Sequence, residues 1–174
     1  MEFEHAFIVG GTGMLEKATR YLSSHAERLT LVSRDADITR RRLDLPYATY
    51  LSANWSEPAS FVANVKPTFE LHPVDLMLLW MHRDGYMARQ GLIDIVRGSN
   101  CQIVDVHGSG MGNASEKIAE RRLEASRAGC RYNAVLLGAF KDADGSLRWL
   151  THDEISGAVI EAIRTKEDVI AGTV

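Results

Sequence analysis

The sequence predicts an α/β protein: a doubly wound, mostly parallel sheet of strand order 3-2-1-4-5-6, finished by a short antiparallel hairpin and a helix. Three observations predict it. Short apolar runs alternate with helical patterns along the chain, and that alternation requires parallel pairing with right-handed crossovers. A glycine-rich turn, Gly10-Gly11-Thr12-Gly13, separates the first apolar run from the first helical pattern. The length of 174 residues suits one domain, spanning 1–174, with enough chain for a real core.

Each element has its own signal. The run His5 to Gly10 reads as a buried strand and Met14 to His25 as a helix. Arg28 to Ser33 is the second strand, followed by a polar helix through Arg42, and Ala48 to Ala53 is the third. A helix opens at Ser56-Glu57-Pro58 and runs to about Lys66, with proline in the first turn, where its missing N–H costs nothing. Val74 to Trp80 is the most apolar run and predicts a central strand; Tyr86 to Gly98 is helical and Cys101 to His107 is a strand. Ala114 to Ala128 is an amphipathic helix ended by Gly129. Arg131 to Phe140 is the sixth strand, and the turn at Asp142 to Gly145 predicts a hairpin into Ser146 to Leu150. Thr151 with Glu154 three residues on forms a capping box for a last helix to about Arg164.

Composition narrows the partners. The net charge of −3 gives no reason to expect nucleic acid or an anionic membrane, and the arginines of Thr39 to Asp44 read as a solvated helix face. No apolar run approaches the ~18 residues of a membrane helix. Cys101 and Cys130 belong to no metal or redox pattern and read as reduced structural thiols. The acidic opening segment lacks a basic signal region, so a cytoplasmic protein is expected.

In a doubly wound sheet, ligands bind beyond the carboxyl ends of the strands, where the strand order reverses. At the first such edge, Gly10, Gly11, Thr12 and Gly13 offer a tight turn without Cβ atoms, and Met14 and Leu15 open the helix whose free N–H groups would face a phosphate. A dinucleotide is therefore the expected ligand. Glu16 is discordant, because a glycine usually stands there. Two readings remain open: a carboxylate favouring the helix dipole and pointing away, or one that repels a pyrophosphate. After the second strand come Ser33 and Arg34, where an acidic residue would select NAD; arginine suits a 2′-phosphate, so NADP is expected ahead of NAD, with Asp35 and Asp37 as alternative ribose acceptors. Trp80 either packs on the cofactor or caps the central strand. His82 and His107 stand at strand edges beside the switch point as candidate proton donors, and no third residue with suitable spacing joins them in a metal site.

On "VGGTGML", "LVSR", "SANWSEP" and the C-terminal "RWLTHDEISGAVIEAI", nearly the whole chain resembles the short-chain dehydrogenase/reductase superfamily, in particular its small atypical members. The resemblance implies a Rossmann fold and NAD(P) binding, with Asn54 where the family has an Asp near the adenine, Trp80-Met81-His82 replacing the segment after the fourth strand, and Ser109 matching the helper serine. The family's catalytic Tyr, followed by Lys four residues later, does not carry over. Four residues after Tyr21, Tyr47, Tyr50, Tyr86 and Tyr132 come His25, Leu51, Asn54, Gln90 and Leu136. The expected helix contains Lys117, but Asn113 stands four residues before it. Three readings follow: an NADP-dependent oxidoreductase of unassigned carbonyl or alcohol substrate, with His107, Ser109 or His82 polarising the carbonyl; a non-catalytic NADP sensor or regulator; and a Rossmann-like domain for another nucleotide. The few residues after the sixth strand leave little wall for a small-molecule substrate, which favours the sensor unless a homo-oligomer supplies the wall.

Overall fold

The computed structural model describes residues 2–110 and 113–174. Its sheet has seven strands: β1 (Phe3–Val9), β2 (Ala26–Ser33), β3 (Ala48–Ser52), β4 (Leu76–Leu79), β5 (Gln102–Gly108), β6 (Arg131–Leu137) and β9 (Val169–Ala171). They are ordered β3-β2-β1-β4-β5-β6-β9, and every neighbouring pair is parallel. This is a Rossmann-type sheet, with the expected six-strand order extended by one edge strand. β7 (Ala139–Lys141) and β8 (Leu147–Trp149) form the expected antiparallel hairpin. The helices are α1 (Glu16–His25), α2 (Ala36–Leu43), α3 (Pro58–Leu71), α4 (Tyr86–Ile95), α5 (Ala114–Arg127) and α6 (His152–Thr165).

Both faces of the sheet are covered, so its strands are apolar in both directions. Ile8, Leu78 and Val104 pack beneath α1 and α6, while Phe7, Met77 and Ile103 pack on the other face with Phe61 and Leu92. All four residues of β4 are buried, as expected for the central strand. Local signals set most helix ends: Pro58 opens α3, Asp35 caps α2 by accepting from the Ile38 N–H at 2.9 Å, and Gly129 follows α5 with φ 74°. The Thr151–Glu154 capping box is complete in both directions, and Glu154 also holds Arg148 of the hairpin at 2.8 Å.

The structure corrects several boundaries. α1 begins at Glu16, after the glycine turn has continued through Leu15. α3 runs on to Leu71 through Pro67, and α4 stops at Ile95. The sixth strand ends at Leu137 because the chain turns away at Gly138, where a Cβ would lie 2.1 Å from the Thr173 carbonyl oxygen. That close approach accompanies β9, which pairs with residues 135–137 and which a three-residue apolar run does not reveal. No helix among the described residues is long and apolar enough to cross a membrane.

The capping box yields a first prediction. Thr151→Ala removes one partner of the box and should lower stability by about 1 kcal/mol, read from urea unfolding; an unchanged midpoint would mean that Arg148 and packing alone hold the α6 start.

Candidate functional site

The site lies where β1 and β4 part. The Trp80 N–H donates to the Val9 carbonyl at 2.9 Å, and immediately beyond it the chain turns at Gly10 with φ 79°. A Cβ on Gly10 would sit 2.2 Å from the Trp80 carbonyl oxygen, so only glycine fits. Gly11 is equally confined: a Cβ there would meet Ile8 at 2.5 Å and the Thr19 hydroxyl at 2.6 Å, and that hydroxyl donates to the Gly11 carbonyl at 2.8 Å. Gly13 has nothing within 4 Å of its would-be Cβ. The first two glycines thus serve packing of the turn against β4 and α1, and the third leaves the floor of the groove open.

That groove, of 230 Å³, is lined by Gly10, Thr12, Gly13 and Met14 on one side and by Ser33, Arg34 and Trp55 on the other, with Trp80 at its end. The expected residues Gly10 to Met14, Ser33, Arg34 and Trp80 therefore converge, apart from Gly11, which supports the turn from behind. Leu15 is fully buried among the core residues, so its side chain belongs to the core and not to the groove. Asn54 is used within its own turn, accepting from the Ser56 N–H at 3.2 Å. The neighbouring Trp55 takes its place at the groove, pinned by Asp84, which also accepts from the Ser56 hydroxyl at 2.8 Å. Ser33 donates to the Asp35 carbonyl at 3.0 Å, and the Asp35 carboxylate is committed to capping α2. Arg34 is exposed at the rim.

Glu16 points away from the groove. Its carboxylate pairs with Arg20 at 2.9 Å and Arg42 at 3.7 Å, and it lines a separate depression beside α6 with Lys17, His152 and Asp153. The structure thus favours the first of the two readings of this residue: a first-turn carboxylate on a helix N-terminus, neutralised by two arginines.

A second and larger cavity, of 660 Å³, adjoins the first and shares Trp80 with it. The 3₁₀ turn at Arg83–Gly85, the start of α4 and the first half of α5 wall it. Met81 and His82 line it, and His82 stands between Trp80 and Trp55 at ring distances of 5.4 and 6.0 Å. Lys117 and Arg121, one helical turn apart, face it from α5. The expectation of little substrate wall is corrected here. The wall comes from α4 and α5, not from residues after the sixth strand. Ser109 is exposed at the end of β5, its N–H donating to the Leu137 carbonyl at 2.9 Å.

His107 is not among the cavity's lining residues. It is 1% exposed and faces the α5 side with Asp105, two residues earlier on the same face of β5. The Asp105 carboxylate accepts from Arg89 at 2.9 Å, Arg121 at 3.1 Å and the Tyr132 hydroxyl at 3.2 Å. His107 Nε2 lies 2.8 Å from the Tyr132 oxygen and Nδ1 3.3 Å from Arg121 Nη1. Arginine only donates, so Nδ1 accepts. Nε2 then carries the proton and donates to Tyr132, whose own proton goes to Asp105. The ring is neutral with both nitrogens engaged, which removes His107 from the candidate proton donors. Burial lowers its pKa, reinforced by the Arg121 and Arg89 charges against the opposing pull of Asp105. Burial alone would raise the Asp105 carboxyl, but the Arg89 and Arg121 charges outweigh it and hold it below its ordinary value. Glu124 completes the cluster, accepting from Arg89 at 3.2 Å and Gln90 at 2.6 Å. Among the described residues no three His, Cys, Asp or Glu side chains converge as metal ligands would.

The network fixes an acid sensitivity. His107 holds a proton less tightly folded than unfolded, so the unfolded chain binds more protons once the pH drops below about 6.5. Stability should therefore fall from pH 7 to pH 5, and buried His5, also lowered by burial, adds to the slope. The Asp105 contribution is lost only below about pH 4. Melting temperatures against pH test this: His107→Gln should flatten the segment between pH 7 and 5, and a slope identical to wild type would refute the neutral assignment. Asp105→Asn, which removes the buried charge shared by Arg89 and Arg121 and leaves Arg89 to Glu124 alone, should cost roughly 3–5 kcal/mol.

No family model and no curated protein sequence matches the chain. Solved structures do. A short-chain dehydrogenase from Burkholderia cenocepacia J2315 in complex with NADP superposes with a TM-score of 0.73 at 13% identity, covering 99% of this chain and 89% of that one. The NADH-dependent reductase A1-R′ complexed with NAD gives 0.71 at 14% identity over 98% and 96% of the two chains. A structure reported as ribose-5-phosphate isomerase from Brucella melitensis 16M gives 0.77 at 16% identity over 98% and 93%. At these identities the likeness is one of fold: the chain has the Rossmann fold seen in short-chain dehydrogenases and reductases.

Proposed function

We propose that the chain is an NADP-dependent oxidoreductase acting on a small carbonyl or alcohol substrate. The observation that carries this reading is that two cavities meet at Trp80, which lines both of them at the switch point. The first has the shape and chemistry of a dinucleotide groove: a glycine turn with an open floor, a helix N-terminus behind it and an arginine at the ribose end. The second gives room for the reacting end of a cofactor and a substrate. Gly10, Thr12, Gly13 and Met14 would hold the pyrophosphate, and Trp55 and Trp80 would flank the nucleoside parts. Arg34 would meet the 2′-phosphate, joined by Ser33 once its hydroxyl gives up the Asp35 carbonyl, while one oxygen of the Asp35 carboxylate stays engaged in capping α2. Bound there, the cofactor supplies hydride transfer. NAD and NADP named with the fold neighbours support a nicotinamide dinucleotide in general; the preference for NADP rests on Arg34.

His82 is the candidate that remains at the second cavity for proton transfer, since His107 is consumed by its network. Ser109, exposed just past the end of β5, is not among the residues that line this cavity, so the polarising role expected of it falls to His82. Lys117 occupies the helix where the family resemblance places a lysine, without the tyrosine. That missing tyrosine favours the alternative of a non-catalytic NADP sensor, and turnover decides between the two.

Titration with NADPH and NADH, followed by nicotinamide fluorescence, tests the cofactor. NADPH should bind at least about tenfold more tightly, and Arg34→Ala should weaken NADPH by about tenfold while leaving NADH within about twofold, the size expected of one charge-assisted contact at an exposed rim. Equal losses would reject the 2′-phosphate assignment, and no binding of either would reject the cofactor. Glu16→Gly should leave NADPH affinity within about threefold, because Arg20 and Arg42 already meet that charge.

Turnover against a carbonyl panel tests the chemistry. His82→Gln should cost about 100-fold in kcat, the lower end for a lost general acid, with NADPH affinity held. Wild-type turnover in the variant would remove His82 from the reaction, and no turnover by the parent would leave the sensor.

A further inference from the structure

The second cavity carries information about what enters it. Among the described residues lining it, Arg83, Lys117 and Arg121 are cations and Glu120 is a carboxylate, and with the buried Asp105 paired to Arg121 the cations still outnumber the carboxylates. They come from two walls: Arg83 from the 3₁₀ turn, Lys117 and Arg121 from α5. In a protein of net charge −3, such a local excess runs against the whole. The helices α4 and α5 also start here, with Tyr86 and Lys117 of their first turns in the lining, and their N-terminal dipoles add positive potential.

Arg121 is the fixed member. It is 9% exposed, and Asp105 and His107, neither of which lines the cavity, hold its Nη1 at 3.1 and 3.3 Å. A guanidinium locked in this way presents its donor fork without further loss of side-chain freedom. Arg83 and Lys117 are exposed at the mouth. Trp80, Met81 and Val106 add apolar lining to the same cavity. An anion with an apolar body matches both halves.

We infer that this cavity takes a carbonyl compound bearing a carboxylate, with Arg121, Lys117 and Arg83 meeting the anion and Trp80, Met81 and Val106 its apolar part. A singly charged carboxylate fits better than a phosphate dianion, which would be set beside Glu120. The inference rests on the oxidoreductase reading for calling the ligand a carbonyl compound; the anion preference rests on the cavity alone. Asp105 and His107 are then positioning residues, acting through Arg121.

Benzoylformate and its methyl ester are a matched pair, sharing one aryl ketone and differing by one charge. Their binding is measured by calorimetry on the protein alone and on protein saturated with NADP⁺. Benzoylformate should bind at least tenfold more tightly than the ester in either form, and Arg83→Gln, an exposed change that leaves the fold intact, should cut that preference at least threefold. Arg121→Met should abolish it, provided its circular dichroism matches the parent. Equal or tighter binding of the ester, binding of neither, a preference untouched in the variants, or inorganic phosphate binding more tightly than benzoylformate would each overturn the inference. Failure of NADPH to bind in the parallel titration would instead overturn the cofactor reading, and the cofactor-free comparison would still decide on the anion.

Discussion

Gly10 passes so close to β4 that a Cβ would stand 2.2 Å from the Trp80 carbonyl oxygen. One hydrogen bond beyond the last paired residues of β1 and β4, the two chains separate, the first into the glycine turn and the second toward Met81 and His82. That contact sets where the switch point opens. It brings the turn against Trp80, and Trp80 in turn borders both the groove over Gly13 and the larger cavity beneath α4 and α5. Any side chain at residue 10 would push the two strand ends apart and separate the spaces that the proposed chemistry needs joined.

The charges near the site follow a division of labour set by burial. Glu16 is at the surface, where two arginines and solvent settle it cheaply. Asp105 is in the interior, where a lone carboxylate would be costly, and it is retained with Arg89, Arg121 and Tyr132 all donating to it. Breaking such a cluster is expensive, yet the cluster does more than fill space. It fixes the tautomer of His107 and the orientation of Arg121, the one member that also reaches the cavity.

The features legible in the sequence are those written in neighbouring residues. The glycine turn, Pro58 at the head of α3, Gly129 after α5 and the Thr151–Glu154 box are each encoded within a few positions, and each is found where the pattern puts it. β9 was illegible because Val169–Ala171 is short and its partner lies over thirty residues earlier. Trp55 was missed because the resemblance pointed to Asn54, while the turn uses Asn54 for its own hydrogen bonds. The place of His107 at a strand end points to the site, but the two-residue alternation pairs it with Asp105 and turns Val106 and Gly108 to the cavity. The same helical spacing that aligns Lys117 with Arg121 was present in the sequence, but nothing local said that this stripe would face a cavity.

In the proposed function a single dinucleotide spans both spaces across Trp80. A crystal structure of the protein with NADP⁺ bound measures this directly. The pyrophosphate should lie over Gly13, the 2′-phosphate at Arg34 and the nicotinamide ring past Trp80, facing His82 and Lys117. A nicotinamide folded back outside the second cavity, or a dinucleotide bound elsewhere on the molecule, would contradict it.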